Sequence, residues 1–162
     1  MKTEEIARLA KQFRKAIEDA FEWGVFGDEY PFSDFPHDCC DDVCDLFGEM
    51  LLEKHVHFVK VFGLYRYNNW DKQYPHVWLQ LDDGTVIDLT GDQYKDNPIM
   101  LNYNDPCYIG KPNRLHKMFP KDEMEYRPYY GIDDYIEEKT RKRLRRLYRN
   151  IMLFYKDDNG EE

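Results

Sequence analysis

Three positions in this chain carry residue types that can do chemistry together: the doublet Cys39-Cys40, His76 and Asp88. A thiol is a nucleophile only as thiolate, and a helix N-terminus or a neighbouring imidazole favours that form. A carboxylate on the far ring nitrogen fixes the imidazole tautomer and steadies the imidazolium. A helix-start cysteine, a strand histidine and a strand aspartate, in that chain order, supply all three roles. Either cysteine of the doublet can fill the first. The same region permits another chemistry. His37, Cys39, Cys40 and Cys44 stand close in sequence and could hold zinc with His55, His57 or His76. The run lacks the paired-knuckle spacing of structural zinc sites.

The elements that must position these residues follow from periodicity. A helix is expected from Cys39 or Cys40 to about Lys54. Its apolar stripe is Val43, Leu46, Phe47, Met50 and Leu51, and Asp38, Asp41 and Asp42 crowd its first turn, where carboxylates are favoured. Residues 56–65 read as a buried strand, followed by a polar loop from Arg66 to Pro75. From His76 to Thr90 two alternating runs flank Asp83-Gly84, a strong hairpin signal. A short turn at 82–84 places residue 78 opposite 88 and 76 opposite 90. His76 and Asp88 then become diagonal neighbours, about 7 Å apart by cross-strand geometry. A slip of one residue would separate them. Val77, Leu79, Leu81, Ile87 and Leu89 form the expected core face. His76, Trp78, Gln80, Val86, Asp88 and Thr90 form the other.

The run FPHDCCDDVCDL from Phe35 to Leu46, then His76-Val-Trp78, then Val86-Ile-Asp-Leu-Thr90 with Asp92-Gln93, resembles the transglutaminase-like branch of the papain-like cysteine hydrolases. The resemblance covers about residues 35–93. It implies Cys40 as nucleophile, His76 as general base and Asp88 as the orienting acid. Cys40 is preferred to Cys39 because the Pro-x-x-x-Cys spacing from Pro36 places it where the helix begins. It also implies a substrate-facing role for Trp78, Gln80 and Gln93. No glutamine lies just before the cysteines. Gln80, Gln93 or a tryptophan, with the Cys40 backbone N–H, would then stabilise an oxyanion. The resemblance further implies a protein or peptide substrate, no cofactor, no catalytic metal and a bacterial type of enzyme.

The flanks are read from pattern alone. Residues 3–22 form an amphipathic helix with Ile6, Leu9, Ala10, Phe13, Ile17, Ala20 and Phe21 on one side, Thr3 as N-cap and Gly24 as stop. The proline-punctuated stretch 91–131 is expected to be loop-rich, in short irregular pieces with room for one more strand. A last helix is expected over about 133–155, with Ile136, Leu144, Leu147, Tyr148, Ile151 and Tyr155 inward.

Charge and composition exclude several classes. The 162 residues carry a net charge of −9, and 16% are aromatic, which excludes a disordered acidic tail. From Asp133 onward acids and bases balance, so the whole negative charge lies before that point. Nucleic-acid binding by the body is disfavoured. The arginine-rich run 140–149 reads as a solvated or acid-paired helix face. No apolar run reaches the ~18 residues of a membrane span. The charged start has no apolar signal region, so a cytoplasmic protein with reduced cysteines is expected.

These readings converge on a single α+β domain over 1–162. A catalytic-type core of papain-like or transglutaminase-like form spans about 25–131, with a cysteine-bearing helix on an antiparallel sheet and terminal helices outside it. The expected function is a thiol-dependent amide hydrolase or acyltransferase, whether peptidase, deamidase or transglutaminase. The alternatives are a non-catalytic protein-binding module on the same fold and a small zinc-binding domain.

Overall fold

A computed structural model describes residues 1–68 and 71–157. The architecture is α+β: three helices and a five-stranded antiparallel sheet. The first helix, α1, spans Thr3–Glu22, as its stripe predicts, with Ile6, Leu9, Ala10, Phe13, Ile17 and Ala20 buried. Thr3 is not its cap. Lys2 occupies that position without a side-chain bond, and Glu4 and Glu5 meet the positive helix end. Phe21 is 40% exposed, outside the stripe. The helix stops where Gly24 takes φ +73°, a left-handed conformation that glycine adopts without a Cβ clash, and Val25 N–H donates back to the Ala20 carbonyl.

After a loop with one 3-10 turn, Phe32–Asp34, α2 runs from Cys40 to Glu53. Val43, Leu46, Phe47, Met50 and Leu51 face inward. Strand β1 (Phe58–Tyr67) and strand β2 (Lys72–Leu81) form a long hairpin in which Val61 pairs Trp78 and Gly63 pairs His76. The polar loop expected over Arg66–Pro75 is therefore mostly strand. The tip of the hairpin extends past the core, so Tyr67, Lys72 and Gln73 are exposed and their pattern reads as loop. Asn69 and Trp70, like the acidic residues after Asp157, lie outside the described residues.

Asp83-Gly84 turns the chain into β3 (Val86–Asp88), with Gly84 at φ +89° and Leu81 N–H donating to the Thr85 carbonyl. Leu79 pairs Ile87 and Gln80 pairs Val86, the expected register. Two further strands come from the stretch expected to be irregular. β4 (Tyr108–Gly110) pairs β3, and β5 (Glu125–Pro128) pairs β1. Both are too short to give an alternating signal. The sheet order is β4-β3-β2-β1-β5.

Each face of the sheet is covered. Phe58, Val77, Leu79, Ile87 and Leu89 pack in one cluster with the helices. Val61, Trp78 and Val86 pack in a second cluster with Tyr94, Met100, Tyr103, Leu115 and Phe119. The face of β2 and β3 opposite the helices is thus a second interior.

The last helix, α3, spans Glu138–Met152 and begins later than expected, after a 3-10 turn at Ile132–Asp134. Ile136 precedes it and is 98% exposed, whereas Leu144, Leu147 and Ile151 are buried. Its arginines pair with acids of the body. Arg143 forks onto Asp42 at 2.7 and 3.0 Å, Arg145 reaches Asp133 and Glu49, and Arg146 meets Glu29. Among the described residues no helix is long and apolar enough to cross a membrane.

Candidate active site

Cys40 is the first residue of α2, and Cys39 is its N-cap. That one-residue difference separates their environments. Cys39 is fully buried in the helix-side core, its thiol donates to the His37 carbonyl at 3.3 Å, and burial pushes its pKa well above the thiol range. Cys40 is only partly buried. Its backbone N–H has no acceptor among the described residues, as expected for the first turn of a helix. Cys44, one turn on, is buried and raised well above the usual thiol pKa by desolvation. Cys107 is pushed up to about 12, again mainly by burial. A thiolate is therefore opposed at three of the four cysteines by burial itself.

The hairpin register brings His76 and Asp88 together. His76 Nε2 donates to Asp88 Oδ2 at 2.8 Å, with both side chains essentially inaccessible. Burial acts to lower the imidazole pKa. The Asp88 charge and hydrogen bond, with a hydrogen-bonding and coulombic contribution from the adjacent Cys40 side chain, overcome it and raise the value to about 10. Burial acts in the opposite sense on Asp88, and the histidines facing it hold it well below the usual carboxylate range. The ring is further boxed by Tyr94 edge-on at 5.5 Å, Trp78 at 5.7 Å and Phe119 at 6.1 Å between centroids.

Gln93 approaches the other ring nitrogen, its Nε2 standing 2.9 Å from His76 Nδ1. With Nε2–H given to Asp88, Nδ1 of the neutral ring is an acceptor and takes the amide N–H. Rotating the amide presents its oxygen to the imidazolium instead. Gln93 thus touches the histidine, whereas the sequence assigned it to substrate. Trp78, also assigned to substrate, is 1% exposed and packs against His76, His116 and Phe119. Gln80 is four residues beyond His76 on β2, roughly 13 Å along the strand by its rise per residue. It lines a separate hollow with Trp78 and His116 and is not brought to the thiol.

Two participants escape a sequence reading. His116 Nε2 donates to the same Asp88 Oδ2 at 2.8 Å, while its Nδ1 accepts the Asn113 backbone N–H. Asp88 Oδ1 accepts from Thr90 N–H at 3.2 Å. The carboxylate is therefore fixed by three donors. His116 sits alone in an irregular stretch and gives no periodic signal. Arg14 is the second. It lies buried on α1, forks onto Asp92 at 2.9 and 2.7 Å, and donates to the Leu89 carbonyl at 2.7 Å. It clamps the loop that presents Gln93. A charge beside the apolar stripe between Ala10 and Ile17 was the available signal.

Two hollows lie on this side of the molecule, one of which reaches the histidine. One of about 320 Å³ includes Asp41 and Lys60, and one of about 400 Å³ includes His76 and Val77. Phe62 and Arg127 line both, with the guanidinium 4.5 Å above the Phe62 ring centre.

The zinc alternative fails on geometry. Among the described residues no three His, Cys, Asp or Glu side chains converge as a metal set. The Cys39 and Cys44 thiols instead lie in the apolar core that includes Val43 and Leu46. No family model, curated protein or solved structure matches this chain.

Proposed function

We propose that the protein is a thiol-dependent acyl-transfer enzyme acting on an amide. Cys40 is the nucleophile, His76 the acid–base group, and Asp88 the residue that orients it. One observation carries the reading: a part-exposed helix-start thiol adjoins a buried imidazole whose far nitrogen is bonded to a buried carboxylate. The reactive residue is partly exposed, and the proton-handling groups are dry, where their charges act more strongly. The transglutaminase-like or papain-like assignment belongs to the same proposal and rests on the Cys-His-Asp order across α2, β2 and β3.

The Cys40 thiol gives its proton to His76 Nδ1, which exchanges its Gln93 contact for the thiol. The thiolate then attacks the amide carbonyl carbon, and the C=O electron pair moves to oxygen. The Cys40 backbone N–H, at the positive end of α2, faces the developing oxyanion. Collapse breaks the C–N bond, and the amine leaves with the proton from His76 Nδ1. A thioester remains. Water then gives its proton to Nδ1 and attacks the thioester, releasing the acid and regenerating the thiolate. An amine in place of water yields a new amide. Peptidase, deamidase and transglutaminase reactions are this one chemistry with different leaving groups and acceptors. The hollow that includes His76, lined by Phe62 and Arg127, offers a protein or peptide substrate its approach.

The test is alkylation by iodoacetamide at neutral pH, with the modified residue located by mass spectrometry. Cys40 should react at least tenfold faster than free cysteine, and His76→Gln should abolish the acceleration. Cys39→Ala should leave the rate unchanged. Preferential labelling of Cys39 or Cys107, or a Cys40 rate no faster than free cysteine, overturns the proposal.

A further inference from the structure

The second face of the sheet holds a hollow of about 690 Å³ that the proposed chemistry does not use. Its volume suits a small organic molecule. Trp78, Val86, Phe119 and Met124 give it an apolar wall. Two features of that wall point to a ligand. The Trp78 side chain is 1% exposed, yet its indole N–H has no hydrogen-bond partner. Buried donors are nearly always paired, and this unpaired one belongs to a side chain that lines the hollow. The rim is the second feature. Lys111, Lys117 and Lys121 line the hollow and are exposed, and none makes an ion pair among the described residues. Asp83 is the acid among the lining residues, and its carboxylate already accepts from Thr85 N–H at 2.9 Å. Three unpaired cations at one rim of a chain with net charge −9 form a local field of the opposite sign.

We propose that this hollow is a binding site for an organic anion with a largely apolar body that carries a carbonyl. The carboxylate lies among Lys111, Lys117 and Lys121. The apolar body fills the space against Val86, Phe119 and Met124, and the carbonyl accepts from the Trp78 indole N–H. A cation of the same shape is repelled at the rim, and an anion without the carbonyl leaves the indole unpaired. Binding does not depend on the thiol reading, because it is measured at the sheet face lined by Trp78.

The probe is 4-benzoylbenzoate, which carries a carboxylate, a carbonyl and two rings, and which crosslinks to nearby C–H bonds on irradiation. Titration is followed on the indole N–H signals of ¹⁵N-labelled protein, with the Trp78 signal identified from Trp23→Phe and Trp70→Phe variants. The Trp78 N–H should shift saturably, and irradiation should label the segment containing Phe119 and Met124. Replacing the three lysines by glutamine should weaken binding at least tenfold, and these surface changes leave the fold intact. 4-Benzylbenzoate, lacking the carbonyl, should bind at least fivefold more weakly. The ammonium analogue, 4-benzoylbenzylamine, should leave the Trp78 signal in place. An unmoved Trp78 signal overturns the site. Equal binding by the triple glutamine variant or by the ammonium analogue overturns the anionic assignment, and equal binding of 4-benzylbenzoate overturns the acceptor assignment.

Discussion

The two faces of the sheet are built on different principles. One is covered by three helices whose apolar stripes meet Phe58, Leu79 and Ile87, and it is held by aliphatic and aromatic packing. The other is covered by irregular chain from Tyr94 to Phe119, and it encloses His76, Asp88 and His116 among aromatic rings. Hydrophobic burial is tolerant of detail, whereas buried polar groups must each be matched to a partner. The helix-covered face therefore supplies stability, and the loop-covered face supplies a fixed arrangement of charges. Cys40 stands at the end of the first system and beside the second.

The largest test of that contrast is on the helix side. Leu147 is 2% exposed, and Leu147→Asp should cost about 5 kcal/mol in urea unfolding, because it opens a cavity and buries a charge. Arg146→Ala, one residue away, removes an exposed pair with Glu29 and should cost about 0–1 kcal/mol. Similar costs for the two would make charge, and not packing, the force that holds α3. On the other face, Asp88→Ala should cost about 3–5 kcal/mol, since it strips a buried partner from two histidines. A near-neutral value would mean that the network is no more demanding than the apolar side.

The same network predicts a pH dependence. His76 is raised from 6.5 to about 10, so its contribution to stability is complete below pH 6.5 and is lost as pH climbs towards 10. Asp88 is lowered from 3.8, so its contribution holds above that value and fades only in stronger acid. The stability difference between wild type and His76→Gln should therefore be flat from about pH 4 to 6.5 and shrink by pH 10. A difference that grows with pH would reverse the sign of the pairing. The smallest effect expected on this face is at Gly63. An added Cβ there would stand 2.8 Å from Phe119 Cδ1 and 3.1 Å from Trp78 Cη2. Gly63→Ala should cost about 1–3 kcal/mol by overpacking. No cost in thermal or urea unfolding would show that the aromatic lid yields freely.

The contrast also explains what could be read from the residues alone. The stripes of α1 and α2, the Asp83-Gly84 turn and the register joining His76 to Asp88 are set by neighbours a few positions apart. Local periodicity reports them. The length of the β1–β2 hairpin was hidden because its tip carries polar residues on both sides. The late start of α3 was hidden because Ile136 continues the helical spacing without packing on anything. The second interior left no trace, since Tyr94, Tyr103, Leu115 and Phe119 share no period and meet only through the fold. His116 is invisible for the same reason. Gln80 alternates in phase with His76, which suggested a shared site, but strand rise carries it away.

The sheet's outer strands have a further consequence, for self-association. β4 has three residues and β5 four, and β5 carries Glu125 and Arg127 and ends at Pro128. Short, charged, proline-ended edges offer another chain little to pair with. Behind β5 lies β1, a ten-residue strand of which only Val59 to Phe62 is paired on that side. A proteolytic cut that released β5 would uncover the row of backbone donors and acceptors along Phe58–Tyr67, next to Val61 and Phe62. Such a fragment should form intermolecular β-sheet and aggregate, so the few residues of β5 act as a guard against fibril-like stacking.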